Sequence, residues 1–219
     1  ISRPFDARVV FQRVFNTIKL YAKQRKLIDL VAGQMQEKEK NNQIMVNILS
    51  HIVECRNGES GQHVRNIGIL TKLLLKKLMQ KTDRYQMTWG DLNRIALASA
   101  LHDIGKMAID NDILEKPDKL TDEEFSKMKN HAGYTYLILS NINDFEDIRD
   151  WAAFHHEKLN GKGYPFGKTA AELNEPERIM ACIDIYQALT ESRPYKQGFS
   201  HEKTCDILDD MADKGFIDA

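Results

Sequence analysis

Apolar residues recur at alternating three- and four-residue intervals through the first quarter of the chain. The series comprises Val14, Ile18, Tyr21, Ile28, Ala32, Met35, Val46, Leu49 and Val53. Arg25, Glu39 and Asn42 interrupt the same register, and Gly33 is the only glycine between residues 5 and 54. This spacing predicts one long helix, or two in series, with a coiled-coil-like seam in its first part. A helix packed on its own domain and a dimer or signalling linker fit the pattern equally well.

The rest of the chain also follows a helical period. One apolar stripe consists of Ile67, Leu70, Leu73, Leu74 and Leu78. A mostly apolar helix over residues 92–101 ends at His102, and residues 121–124 form a capping box that begins another helix. We expect two further helices over residues 151–159 and 175–190. No alternating stretch is long enough to indicate a sheet, so the predicted fold class is all-α.

Composition narrows the choice of partners. The 219 residues are 42% hydrophobic and 29% charged, which is enough for one folded domain plus an appendage. The formal net charge of -1 provides no basic field to attract DNA or an anionic membrane. No apolar run approaches the ~20 residues that span a bilayer, and Cys55, Cys182 and Cys205 lack the spacing of a zinc knuckle. We therefore expect a cytoplasmic protein with reduced thiols that binds neither DNA nor membrane.

Five of the seven histidines stand in a spaced series with acidic residues. The series is Glu59, His63, His102, Asp103, His131, His155, His156 and Asp184. Imidazole and carboxylate together form the mixed nitrogen and oxygen shell that iron, manganese or zinc accepts. Eight donors exceed the needs of one tetrahedral site, which suggests at least two ions. Two adjacent ions are a common device for hydrolysing phosphate esters.

Two of the carboxylates stand in apolar surroundings. Asp103 follows the apolar helix over residues 92–101, and Asp184 lies inside the apolar run 180–185. A buried carboxylate without a positive partner is strongly unfavourable, and a metal ion would supply that partner. The alternatives are a helix-capping role for Asp103 and a salt bridge from Asp184 to Arg178 or Arg193.

The histidines differ in how strongly each one indicates a metal. His155 and His156 follow an apolar segment, where two imidazoles bring several nitrogens that need partners. Glu59 and His63 would share one helix face, although two nearby glycines fit a loop equally well and a solvated surface pair is the alternative. His131 taken alone fits a structural role.

Three segments around these donors carry recognisable motifs. Residues 102–106 read HDIGK, residues 155–165 read HHEKLNGKGYP, and residues 184–196 end in RPYK. Together they resemble the HD-GYP family of HD-superfamily phosphohydrolases over residues 46–219. The resemblance implies an HD-superfamily helical bundle, preceded here by a long linker helix. It also implies a metal-dependent phosphodiesterase that cleaves cyclic di-GMP to pGpG and, with a third ion, onward to GMP.

The resemblance also assigns roles to individual residues. The implied metal ligands are His63, His102, Asp103, His131, His155, His156 and Asp184, with Glu59 for a third ion. The implied catalytic residues are Asp103 and Lys106, and the implied substrate contacts are Lys106, Tyr164, Arg193 and Lys196. Two or three divalent ions, first iron or manganese and alternatively zinc, nickel or magnesium, would share a hydroxide that attacks phosphorus. Ala132 and Gln187 depart from the family's usual proline and aspartate, which affects loop shape more than the ligands.

The opening residues suggest how the chain is organised. Residues 1–6 read ISRPFD and resemble the end of a response-regulator receiver domain, although Arg3 stands where that family usually has lysine. We therefore expect a receiver remnant over 1–21, a helical linker and candidate dimer coiled coil over 22–50, and the phosphohydrolase domain over 51–219. The expected partners are a cyclic dinucleotide, an upstream receiver domain and a second copy through the N-terminal helix.

Other functions remain compatible with parts of this pattern. An HD phosphohydrolase could act on another cyclic dinucleotide, on a nucleotide monophosphate or on ppGpp with the same ligands. A sensor that binds cyclic dinucleotides without cleaving them would be expected to lack ligands, and the complete set is present. A coiled-coil scaffold explains residues 10–55 and nothing after them.

Overall fold

The computed structural model describes residues 6–56, 62–82, 87–191 and 197–218. Within these ranges, the side chains of residues 39, 42–43, 45–47, 50–56, 62–65 and 89 are not described. The α-helices are α1 Ala7–Arg56, α2 Gln62–Lys81, α3 Trp89–Leu101, α4 Asn111–Leu114, α5 Asp122–Leu139, α6 Glu146–Ala153, α7 Glu175–Thr190 and α8 His201–Asp213, with a 3₁₀ helix at Ile104–Ala108. The described ranges contain no strand, only an isolated bridge between Asn160 and Thr169. The all-α prediction is confirmed.

The chain divides into two compact units, residues 1–45 and 46–219. The helical part of the first unit belongs to α1, which is a single helix of 50 residues as the 3-4 spacing predicts. Many large apolar side chains of this unit are exposed, among them Val9, Phe11, Val14, Phe15, Ile18, Leu20, Tyr21, Leu27, Ile28, Leu30, Val31 and Met35. Among the described residues, no helix is both long and apolar enough to cross a lipid bilayer.

The core of the second unit gathers side chains from α2, α3, α6 and α7. Its fully or almost fully buried members include Ile67, Leu75, Ile95, Ala98, Leu101, Ala152, Met180 and Ile183. These helices bring their ends toward one another, so residues that follow α3 and α6 lie beside residues inside α5 and α7. The core therefore determines where the candidate ligands meet.

The buried face of α2 differs from the predicted stripe. Leu73 is 57% exposed and Leu74 is 36% exposed, whereas Ile67, Thr71 and Leu75 are fully buried. The prediction omitted Thr71 because its side chain is polar. Its hydroxyl donates to the Ile67 carbonyl at 2.7 Å, which satisfies the polar group inside the helix and permits burial.

Capping boxes set the starts of α5 and α7. The Thr121 hydroxyl accepts from the Glu124 amide while the Glu124 carboxylate accepts from the Thr121 amide, as predicted. Asn174 and Glu177 form the same arrangement before α7, whose bounds match the predicted 175–190. The predicted helix over 151–159 is wrong, because α6 begins at Glu146 and the backbone leaves the helical region at Phe154.

We predict that Glu177 makes the stability of this fold depend on pH. Burial raises the pKa of Glu177 to about 7 from its usual 4.5. The folded state therefore favours the protonated acid. The contribution of Glu177 to the free energy of unfolding is complete below pH 4.5 and is lost as the pH rises through 7. The expected loss is about 3 kcal/mol across this window.

Urea unfolding of wild-type protein and Glu177→Gln between pH 4.5 and 8.5 measures this contribution. The amide keeps an oxygen to accept from Asn174 and carries no charge, so the variant's stability should fall less than the wild type's. Parallel curves for the two proteins would contradict the assignment.

Candidate metal centre

Three histidines hold one ring nitrogen against a backbone carbonyl of the preceding turn. The Nδ1 atoms of His102, His131 and His155 lie 2.8, 2.7 and 2.6 Å from the carbonyl oxygens three residues earlier. A carbonyl only accepts, so each Nδ1 carries the proton and donates it. This fixes the neutral tautomer in which Nε2 keeps its lone pair for a metal.

The Asp103 carboxylate lies between two of these imidazoles. Its Oδ2 is 3.4 Å from His102 Nε2, and its Oδ1 is 3.4 Å from His131 Nε2. The Nε2 atoms of His131 and His155 are also 3.4 Å apart. Two donors that bind the same ion, each at ~2.1 Å and with a tetrahedral angle between them, stand ~3.4 Å apart. The spacing of these atoms therefore fits metal coordination, with each Asp103 oxygen facing a different histidine.

Asp184 completes the described donor set from α7. Its Oδ1 is 3.6 Å from His102 Nε2, and its Oδ2 is 3.7 Å from His156 Nδ1. Arg178, one of the alternative partners for this carboxylate, instead pairs with Asp218 at 3.2 Å. Asp184 therefore faces the imidazoles as a metal ligand would.

The donors form two overlapping groups whose atoms lie within 4.8 Å of one another. One group is His131, His155 and His156, and the other is His102, Asp103 and His155. The rings of His155 and His156 are 4.0 Å apart between centroids, although the two residues are neighbours in the chain. The turn after α6, where helix was predicted, is what allows both rings to face the same centre.

Burial favours the neutral form of three of the imidazoles. It lowers the pKa of His131, holds that of His155 well below its usual range and brings that of His156 to about 4. Burial also tends to raise the pKa of Asp103, but the positive charge of Lys106 is the largest opposing influence, and that pKa is held well below normal. Neutral imidazoles around an ionised carboxylate are the protonation states that metal ligands require.

Lys106 lies beside the same carboxylate. Its Nζ is 2.7 Å from Asp103 Oδ2, one turn along the 3₁₀ helix. An ammonium at this position neutralises part of the buried negative charge and stands at the edge of the donor cluster.

The loop that carries Tyr164 is organised by Glu157, a residue to which the sequence assigns no role. The buried Glu157 carboxylate accepts from the backbone amides of residues 166, 167 and 168 at 2.7, 3.1 and 2.9 Å. A Cβ at Gly163 would lie 2.4 Å from the Lys158 nitrogen, so glycine is needed for the close passage of the loop. The Tyr164 ring consequently lies 4.7 Å from the His156 ring, and its contact with substrate stays a prediction.

A second contact missed by the sequence analysis joins residues 102–106, called the HD segment below, to α5. The Thr135 hydroxyl donates to the His102 carbonyl at 2.9 Å and accepts from the Gly105 amide at 3.0 Å. Glu157 stands in the HHE motif, which marks its position but not its role, and Thr135 carries no sequence signal. Each contacts backbone groups that only the folded chain brings near.

Four of the predicted site residues fall outside the described side chains. Glu59, Arg193 and Lys196 lie outside the described residues altogether. His63 lies in the first turn of α2, and its side chain is not described. Their roles stay predictions, whereas His102, Asp103, Lys106, His131, His155, His156, Tyr164 and Asp184 are brought together.

Comparisons with known proteins agree with this arrangement. The HD domain family model matches residues 27–219. The chain is 33% identical to 3'3'-cGAMP-specific phosphodiesterase 3 of Vibrio cholerae, over 76% of this chain and 35% of the relative. It is 34% identical to a probable cyclic di-GMP phosphodiesterase of the same organism, over 78% of this chain and 41% of the relative. It is 30% identical to a cyclic di-GMP phosphodiesterase response regulator of Xanthomonas campestris, over 91% of this chain and 53% of the relative. The chain thus spans about a third to a half of these relatives.

We predict that Asp103 is needed for metal binding. Asp103→Ala removes both oxygens that face His102 and His131, so the protein should retain less metal than the wild type after purification without oxygen. Elemental analysis by inductively coupled plasma mass spectrometry measures the ions per chain. Asp112→Ala, at an exposed carboxylate in α4, is the matched control and should retain the wild-type content. Equal metal content in Asp103→Ala and wild type would refute the assignment.

Proposed function

The chain belongs to the HD domain family, and on this basis we propose that it is a metal-dependent phosphodiesterase that hydrolyses cyclic di-GMP. The observation that carries the proposal is the convergence of His102, Asp103, His131, His155, His156 and Asp184 from four parts of the fold. The expected product is linear pGpG, with further cleavage to GMP if a third ion binds. The names of the two cyclic di-GMP relatives support this choice of substrate.

We propose that the centre holds two or three divalent ions. His102, Asp103 and Asp184 would serve one ion together with His63, and Asp103 with the three remaining histidines would serve the second. Glu59 would serve a third. Nitrogen and oxygen donors in this mixture suit iron or manganese first, and zinc, nickel or magnesium as alternatives. When bound, such ions activate water at neutral pH and neutralise charge on the phosphate.

The chain's own residues would orient the substrate. Lys106 stands at the edge of the donor cluster, where its ammonium can contact a phosphate oxygen. Burial raises the pKa of Tyr164, so its phenol keeps its proton and can donate a hydrogen bond at neutral pH. Arg193 would bind a phosphate through its planar guanidinium, and Lys196 would serve the second phosphate as a point charge.

A second substrate is favoured by a specific observation. The relative named a 3'3'-cGAMP-specific phosphodiesterase is as similar to this chain as the cyclic di-GMP relatives. The two substrates share both phosphodiester linkages and differ in one base. The metal centre would therefore treat them alike, and the selection between them would depend on contacts with the base.

The test is a hydrolysis assay with protein loaded with Mn²⁺ or Fe²⁺ in the absence of oxygen. We predict that cyclic di-GMP is converted to pGpG. Asp103→Ala should lower the rate by at least about 10²-fold, because it removes a ligand of the ions that would neutralise charge on the reacting phosphate. Separation of products by liquid chromatography identifies pGpG and GMP, and 3'3'-cGAMP and ppGpp run in parallel identify the preferred substrate.

Each other outcome of this assay points to a different function. Faster cleavage of 3'3'-cGAMP would move the proposal to that substrate. Tight binding of cyclic di-GMP without any product after long incubation would indicate that the protein is a sensor and not an enzyme.

We also propose that α1 joins two copies of the chain, with a receiver domain upstream. The Xanthomonas relative is named a response regulator and matches 91% of this chain, which supports the upstream domain. Five large residues of the apolar series are exposed, namely Val14, Ile18, Tyr21, Ile28 and Met35, and a coiled coil would bury them.

We predict that Ile28→Asp disrupts this dimer. Ile28 is 67% exposed and belongs to the 3-4 series, so a charge there would be buried in a coiled-coil seam. Leu30 is 60% exposed and lies outside the series, which makes Leu30→Asp the matched control. Sedimentation equilibrium at micromolar concentration should give a dimer for wild type and Leu30→Asp and a monomer for Ile28→Asp. A monomeric wild type, or equal masses for the two variants, would exclude the seam.

A further inference from the structure

We propose that Thr135 is a positioning residue that sets the distance between the metal ligands of the HD segment and His131 on α5. The proposal deepens the proposed function and rests on it, since it concerns how the same centre holds adjacent ions. Thr135 does not contact the donor atoms itself, and it acts through the backbone on either side of Asp103.

The contact uses both hydrogen-bonding capacities of one hydroxyl. Thr135 is fully buried, and its Oγ1 donates to the His102 carbonyl at 2.9 Å while it accepts from the Gly105 amide at 3.0 Å. Asp103 lies between these two residues in the chain. The backbone that carries the Asp103 carboxylate is therefore held on both sides by a single side chain from α5.

Glycine at position 105 brings the two segments into direct backbone contact. A Cβ there would lie 1.9 Å from the His131 carbonyl oxygen and 2.5 Å from the Thr135 nitrogen. The first turn of the 3₁₀ helix thus rests on the turn of α5 that runs from His131 to Thr135, with no side chain between them. His131 and Thr135 are four residues apart and project from the same face of α5.

This arrangement couples the hydroxyl to the geometry of the donors. Asp103 Oδ1 and His131 Nε2 are 3.4 Å apart, and they reach this distance from two segments separated by 28 positions in the chain. Metal bonds tolerate errors of about 0.2 Å, so a small shift of residues 102–106 along α5 would misplace the Asp103 carboxylate as a ligand. Contacts that orient ligands in this way typically change metal affinity by about 10- to 100-fold.

Two substitutions separate the effect of the Thr135 hydroxyl from the effect of the side-chain shape. Thr135→Val keeps the branched shape and removes both hydrogen bonds, whereas Thr135→Ser keeps the hydroxyl and removes the methyl group. Thr204→Val is the matched control, because Thr204 is also fully buried and its hydroxyl donates to the Ser200 carbonyl in α8 at 2.9 Å.

The experiment is a Mn²⁺ titration of the whole chain followed by electron paramagnetic resonance, which distinguishes free, single and magnetically coupled adjacent ions. Wild type, Thr135→Ser and Thr204→Val should give the coupled signal at the same Mn²⁺ concentration. Thr135→Val should bind the more weakly held ion about 10- to 100-fold less tightly and show reduced coupling. Circular dichroism of the metal-free proteins checks that all four are equally helical.

Each result decides a separate question. Equal affinity and coupling in Thr135→Val and wild type would overturn the positioning role, as would a loss in Thr135→Ser equal to that in Thr135→Val. If Thr135→Val does not fold, Thr135→Cys replaces it, and equal coupling in the Ser and Cys variants would then overturn the role. A wild type that binds no Mn²⁺ would instead refute the proposed function.

Discussion

The Asp103 carboxylate lies half-buried beside an opposite charge and imidazoles that offset the cost of removing it from water. A carboxylate in an apolar interior is expensive unless it is paired or hydrogen-bonded. Here the ammonium of Lys106 is 2.7 Å away, and two imidazoles stand at 3.4 Å on opposite oxygens. The end of α3, the 3₁₀ helix and α5 all meet at this carboxylate, so the packing of the second unit and the chemistry of the site depend on the same group.

The helix ends follow from local sequence, and several ligands follow from the motifs. The capping box at Thr121 and the extent of α7 are properties of a few neighbouring residues, which is why both could be predicted. The described members of the candidate ligand series, from His102 to Asp184, lie close together, and their role as ligands stays a prediction. Rules that use only neighbouring residues predict the structure correctly where the interacting residues are close together in the chain.

The sequence did not reveal features that depend on distant partners. α6 ends at Ala153, and the turn that follows brings the rings of His155 and His156 within 4.0 Å, whereas helical periodicity alone extended that helix too far. Thr71 is polar yet buried, because its hydroxyl is satisfied within α2. The roles of Glu157 and Thr135 arise from backbone groups that approach only after folding.

The three imidazoles anchored on carbonyl oxygens have a consequence for which element the centre takes up. A neutral carbonyl withdraws an imidazole proton less strongly than a carboxylate partner would, so His102, His131 and His155 remain moderate electron donors. Moderate donors hold first-row ions without strong preference beyond the general affinity order. The availability of divalent metal around the protein would then contribute, together with ligand type and geometry, to which ion is carried.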